Sequence, residues 1–405
     1  MAGKSFKLLC LENPLLDIQG QGDQAMLEEY GLKLDDTLLV DAEKEPEKMG
    51  LYDDLIKNRN AKLIPGGAAQ NTARGAQYML GPDSVWYIGS VGDDEYSKLL
   101  REKCAEQGLH VEYHVDSAPT GKCGVVITDH HRTMLTHLAA ANNYKLTHLQ
   151  QPSIWSLVTS TPVYYVGGYH LTVCPPAAMA LATHAAETNK TFMLSLSAGF
   201  IPQFFKDPLS EILPYCDYVF GNENEATTWA ENNGFESVKD NIPEAAKALA
   251  GTEKVNAKRP RVVIITQGTD PTIVAVKEDG KEAQVQEYPV AAIDGKDIVD
   301  TNGAGDAFAG GFCAGIVEGK SLEESIAQGH WLARLGLKEL GPSYVLLYPF
   351  SFVRSFAHRS AMRFEYRIPP MDAVADQFAR SLPFSHFTIA LPTSQIHPPA
   401  SPIPG

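Results

Sequence analysis

Short apolar runs alternate along this chain with stretches whose apolar positions recur at helical spacing. Residues 7–11, 85–88, 163–166, 192–196, 218–220 and 262–266 are the predicted strands, and residues 70–80, 96–106, 177–187, 224–230, 304–317 and 322–335 the predicted helices. Strands alternating with helices predict a mostly parallel central sheet covered by helices on both faces. Ligands of such sheets bind beyond the carboxyl ends of the strands. Two segments break the rhythm: residues 18–64 are more polar, and residues 111–138 hold alternating β-type sequence such as Gly124-Val125-Val126-Ile127-Thr128. Together they predict a small β-rich sheet lying over the site as a lid. The expected organisation is a large α/β domain from 1–17, 65–110 and 139–344, a small lid from 18–64 and 111–138, and an atypical tail at 345–405.

Residues 146–186 contain no Asp, Glu, Lys or Arg, but Pro162, Pro175 and Pro176 interrupt them, so a buried strand and helix are expected rather than a membrane span. The tail holds nine of the 26 prolines and little periodicity. It reads as disordered or as an artefact of the gene model, with a docking segment as the alternative.

Composition narrows the classes. The 405 residues are 44% apolar and 20% charged, ordinary for a globular protein, with a net charge of −15. That acidity disfavours nucleic acid and anionic membranes as partners. A phosphorylated ligand must be held by local donors. Six scattered cysteines without CxxC spacing predict reduced, buried thiols, and the N-terminus reads as lacking a signal peptide.

Local donors are what Asp300-Thr301-Asn302-Gly303-Ala304-Gly305-Asp306 offers. Lys296-Asp297-Ile298-Val299 reads as a strand-like approach, and 304–317 as a buried small-residue helix. A helix start presents free N–H groups and the positive end of the dipole, and glycine lets an anion approach closely. Asp306 inside an anion site would repel its ligand, unless it takes a proton from a hydroxyl while the N–H groups hold a phosphoryl group.

The run resembles the DTxGAGD signature of the PfkB/ribokinase superfamily of sugar and nucleoside kinases. The resemblance implies a ribokinase-like α/β fold with a β lid, Asp306 as base, and Gly303, Ala304 and Gly305 as phosphoryl-binding backbone. Other constellations extend it over residues 7–344, toward the superfamily's adenosine kinase-like members. Asn13-Pro14-Leu15-Leu16-Asp17 resembles their nucleoside-binding start, with Asp17 on the ribose hydroxyls, although Glu12 replaces the usual Gly. Pro65-Gly66-Gly67-Ala68-Ala69-Gln70-Asn71 resembles the substrate turn, with Gly66, Gly67 and Asn71 at the ribose. Arg132 lies in a run similar to the lid segment whose Arg meets the transferring phosphate, and a guanidinium suits that geometry. Leu138, Tyr169, His170 and Phe200 are candidates to enclose the base. Asn222 and Glu225 match the N-x-x-E motif, with Glu225 acting on Mg²⁺ through water. Thr266, Gly268, Asn302 and His330 are candidate nucleotide contacts.

The resemblance thus implies ATP-dependent phosphorylation of the 5′-hydroxyl of adenosine, with Mg²⁺ and, as in some relatives, a monovalent cation. A cytoplasmic monomer, with the nucleus as a second compartment, completes the expectation. The alternatives are a kinase for another nucleoside or a sugar, and a non-catalytic nucleoside-binding protein. Gly319-Lys320-Ser321 resembles the end of a P-loop, but Ser321 with Glu324 reads better as a capping box.

Overall fold

The computed structural model describes residues 6–344 apart from 35, 129, 130, 340 and 342, so the expectation for the tail at 345–405 lies outside the described residues. In chain order the strands are β1 (Leu8–Leu11), β2 (Leu15–Gln21), β3 (Thr37–Leu39), β4 (Lys62–Gly66), β5 (Val85–Gly92), β6 (His110–Asp116), β7 (Lys122–Thr128), β8 (His131–His137), β9 (Val163–Val166), β10 (Thr191–Ser195), β11 (Tyr218–Asn222), β12 (Arg261–Gln267), β13 (Asp270–Lys277) and β14 (Gln284–Tyr288). Nine form a large sheet in the order β14-β13-β12-β11-β10-β9-β1-β5-β6, parallel from β12 to β6 and antiparallel at the β12-β13-β14 edge.

The unbroken apolar runs follow from burial on both faces. Within β1 all four side chains are fully buried, and they alternate. Leu9 and Leu11 join Trp86, Tyr164 and Phe192 against the Pro175–Thr188 helix. Leu8 and Cys10 join Tyr87, Tyr165 and Met193 against residues of the Ala68–Leu80 and Ala304–Val317 helices, including Ala73 and Phe312. The predicted elements fall where expected, within one or two residues at each end, except that β5 runs on to Gly92, four residues past the predicted end. The Ser321–Glu324 capping box is present, and all six cysteines are buried and unpaired. Among the described residues no helix is long and apolar enough to cross a membrane.

The small sheet runs β3-β8-β7-β2-β4. Its membership corrects the sequence reading at two places. β6 falls inside 111–138 but pairs in parallel with β5, because Val111 and Tyr113 pack into the large core. Conversely, β2 begins at Leu15 and β4 extends to Gly66, so Asp17 and Gly66 belong to the small sheet. The chain therefore passes between the sheets four times, at residues 12–14, 67, 117–121 and 138. The passages adjoin: Leu16 N–H donates to Gly121 O at 2.9 Å, and Ala140 N–H to Pro119 O at 2.9 Å. A Cβ on Gly67 would lie 2.2 Å from Asn13 O.

The approach to Asp300 is a second correction. Gly295–Asp297 is a 3₁₀ turn, and Ile298 and Val299 pair with no strand and stand 37% and 52% exposed. Their apolar character imitates a strand, but no edge is available; Val299 N–H instead donates to Leu337 O at 2.8 Å.

Candidate active site

Gly303 caps the Ala304–Val317 helix at φ 74°, a left-handed conformation that glycine adopts without strain. No side chain caps this end, and a Cβ at Gly305 would meet nothing within 4 Å, so the first turn faces open space. Asp306 lies in that turn. Burial pushes its carboxyl up to about 6, opposed by one hydrogen bond, from Asn71 Nδ2 to Asp306 Oδ2 at 3.0 Å.

Asn71 comes from the other glycine turn. Gly67, at φ 92°, caps the Ala68–Leu80 helix, and Asn71 sits in its first turn. Arg74, buried one turn on, donates to Asn71 Oδ1 at 3.4 Å and to Pro65 O at 2.7 Å. That contact fixes the amide so that its NH₂ meets Asp306. Asp17 reaches over Gly66, where a Cβ would stand 2.0 Å from Asp17 Oδ1, so only glycine fits. Burial pushes Asp17 up to about 7; Arg74 opposes this, and Asp306 and Asp300 add to it. Asn13 is buried with no hydrogen-bond partner for its Oδ1.

Three buried carboxyls, Glu12, Asp17 and Glu225, thus converge electrostatically on the half-buried Asp306. Burial raises Glu12 to about 8, Asp17 and Glu225 to about 7 and Asp306 to about 6, and Asp306 adds to the shift of each of the other three. A raised folded-state value means stability that is present at low pH and lost as pH rises through that value. Asp306→Asn, which cannot ionise, is therefore expected to gain thermal stability relative to the unsubstituted chain as pH climbs from near 4 to above 6, by a few degrees. Melting curves for both proteins across that range check this; a constant gap contradicts the burial argument.

The small sheet supplies Arg132 from β8. Its Nε lies 2.8 Å from Asp300 Oδ1, and its Nη2 donates to Val299 O at 3.0 Å. Asp300 is itself buried and accepts from Asn302 N–H at 2.7 Å and Gly341 N–H at 2.8 Å. Arg132 thus rests on the loop that leads into the Gly303–Asp306 turn. Leu138 stands at the last passage between the sheets, before Ala139 at φ 43°. Tyr169 and Phe200 pack with ring centroids 5.9 Å apart at 44°. His170 does not join them: it is fully buried, packed edge-on against Tyr144 at 5.2 Å and pushed down to about 3, so no face is free for a base.

At the end of β11, Asn222 and Glu225 form a reciprocal capping box. Glu225 N–H donates to Asn222 Oδ1 at 2.8 Å, Asn222 N–H to Glu225 Oε2 at 3.1 Å and Asn222 Nδ2 to Glu225 Oε1 at 2.9 Å. Both carboxylate oxygens are engaged, and no cluster of three metal-ligating residues exists among the described residues. This donor set fits Mg²⁺ held chiefly by phosphates and water. Thr266 Oγ1 donates to Gly221 O at 3.4 Å, and Gly268, at φ 59°, turns the open β12–β13 hairpin. His330 is held by Thr272 Oγ1 at 2.9 Å and packs on Phe308, so it contributes to helix packing whatever else it does. Sequence reasoning missed Arg74, whose signal was a lone cation in a small-residue helix. It also missed Asp300 as the partner of Arg132, and the depth of Glu12.

Comparison with known proteins converges on one group. The family described as pfkB family carbohydrate kinase matches residues 29–347. An adenosine kinase of Schizosaccharomyces pombe is 46% identical over 84% of this chain and 97% of its own length, and adenosine kinase 1 of Arabidopsis thaliana is 40% identical over 85% and 98%. The solved Anopheles gambiae adenosine kinase in complex with P1,P4-di(adenosine-5) tetraphosphate superposes with a TM-score of 0.76 at 36% identity, covering 85% of this chain and all of that one. The Schistosoma mansoni adenosine kinase in complex with adenosine and AMP gives 0.75 at 32%, over 87% and 99%.

Proposed function

The chain belongs to the pfkB family of carbohydrate kinases, and on that premise we propose that it transfers the γ-phosphoryl group of ATP to the 5′-hydroxyl of adenosine, giving AMP and ADP. It is an ATP-dependent nucleoside kinase. The observation that carries the residue assignment is the 3.0 Å Asn71–Asp306 hydrogen bond, which joins a nucleoside-type turn to an anion-binding turn across the cleft.

Asp306 accepts the 5′-hydroxyl proton. Its value of about 6 suits a base working near neutrality. Asn71 orients the carboxylate, and backbone N–H groups at 303–306 stabilise charge on the transferring group. Asp17 accepts from the ribose hydroxyls, Asn13 contacts the sugar, and Gly66 and Gly67 permit close approach. Leu138, Tyr169 and Phe200 enclose the base. Asn222, Thr266, Gly268, Asn302 and His330 face the ATP half. Mg²⁺, when bound with ATP, supplies charge neutralisation at the phosphates; Glu225 would hold one of its waters. Positioning and electrostatics dominate, because phosphoryl transfer asks little covalent chemistry of the protein.

An ATP-coupled assay over nucleosides and sugars tests this reading, with adenosine expected to give the highest kcat/KM. A sugar preferred over every nucleoside overturns it. Asp17→Ala is expected to raise the adenosine KM roughly 100-fold, as for loss of charge-assisted hydrogen bonds to two hydroxyls. Unchanged affinity by calorimetry removes Asp17 from the ribose.

A further inference from the structure

Glu12 takes no part in the chemistry described above, yet it lies at the floor of the same cleft, 1% exposed. It follows β1 directly and accepts at Oε2 from Ala69 N–H at 2.8 Å, two residues before Asn71. Its Oε1 is buried without a hydrogen-bond partner and fills the space where a Cβ on Gly167 would stand, 1.8 Å away. Across Gly167 lies the aromatic wall. Gly168 N–H donates to Ser197 Oγ at 2.8 Å, and Ser197 is held at φ 65°, three residues before Phe200. The backbone of Tyr169 and the hydroxyl of Ser197 lie near enough to the Glu12 carboxyl to favour its charged form, against the larger effect of burial.

We propose that Glu12 is a positioning residue for the nucleoside: it ties the ribose turn at Ala69–Asn71 to the aromatic wall of Tyr169 and Phe200, setting the distance between the two halves of the pocket. The groups facing it are Asp306, Cys10, Tyr87, Tyr165 and Tyr169. Burial raises the thiol and the phenols, leaving Asp306 as the neighbour that is charged near neutrality. Glu12, raised to about 8, therefore acts as a neutral acid and loses that form at alkaline pH. A neutral carboxyl accepts from Ala69 and presents an O–H; glutamine reproduces both functions.

The inference rests on the nucleoside reading of this cleft, so Asp17→Ala serves as a control. Glu12→Ala is expected to raise the adenosine KM roughly tenfold, the effect of one lost buried hydrogen bond, with kcat and the ATP KM little changed. Glu12→Gln restores the adenosine KM, and it lacks the rise in that KM which the unsubstituted enzyme shows above about pH 8. Glu12→Ala kinetics equal to those of the unsubstituted enzyme overturn the proposal, as does a Gln variant with the same alkaline profile. If the alanine variant fails to fold, the Gln pH profile decides alone. Should Asp17→Ala also bind adenosine normally, Asp17 alone leaves the ribose; a sugar preferred over every nucleoside is the result that overturns the nucleoside reading instead.

Discussion

Asp306→Asn is expected to lower kcat by roughly 1,000-fold, the middle of the range for loss of a positioned general base. Adenosine affinity should stay within about threefold, since a change below roughly 0.7 kcal/mol is all that an isosteric amide imposes on a binding step. The substitution is clean because the carbonyl oxygen of the new amide can still accept from Asn71 Nδ2, as the carboxylate of Asp306 does. The local frame, from Gly303 to the first helical turn, is therefore kept while the proton acceptor is lost. Single-turnover kinetics with calorimetric adenosine binding distinguish the two quantities. Turnover near that of the unsubstituted enzyme removes the base assignment, leaving a cleft in which the anion turn alone carries the reaction.

A comparably large effect is expected at Arg132, from a different cause. Arg132→Met keeps the aliphatic stem and removes the guanidinium. We expect kcat to fall roughly 100-fold, the scale of losing one preorganised donor to developing charge, with adenosine affinity unaffected. The resting contacts of Arg132 make the prediction sharper. Its guanidinium is committed to Asp300 and Val299, at 2.8 and 3.0 Å, and it cannot hold these and a phosphoryl group with the same donors. The phosphates must therefore outcompete Asp300 for it. In the nucleotide-free Met variant, hydrogen exchange around residues 299–302 should quicken, because Asp300 loses its charged partner. A variant with unchanged kcat would mean that Arg132 stays on Asp300 throughout the cycle and serves only as a structural pin.

The sheet of the large domain was legible because its central strands are buried on both faces. β1 and β9 are uniformly apolar, and nothing in the sequence competes with that reading. The lid was legible as a region but not in its boundaries. β6 alternates polar and apolar residues and β7 carries an unbroken apolar run, yet the more polar β6 extends the large sheet and β7 joins the small one; which edge accepts a strand is decided by neighbours distant in sequence. Ile298 and Val299 misled for the same reason in reverse: β-type residues without an edge to pair with are a loop. In the site, glycine turns and Asp306 announced themselves through spacing. Arg74, Asp300 and Glu12 did not, because their importance lies in what they touch. Asn71 and Arg74 are three residues apart on a helix, but the contact that matters, Asn71 to Asp306, spans 235 residues. His170 shows the converse limit, since its neighbours in sequence flank the cleft while its own ring turns into the core.

The four passages between the sheets carry a mechanical consequence. Two bodies joined by one strand can swivel, twist and slide; two joined by four adjacent strands, cross-linked by Leu16–Gly121 and Ala140–Pro119, keep one easy degree of freedom, folding along the line of the joints. Asp17 and Arg132 ride on one leaf, and Asn71 and Asp306 are fixed to the other. Any movement of the leaf therefore carries Asp17 and Arg132 together. On the roles proposed for these two residues, grip on the sugar and neutralisation of the phosphate would be geared to one rotation of that leaf.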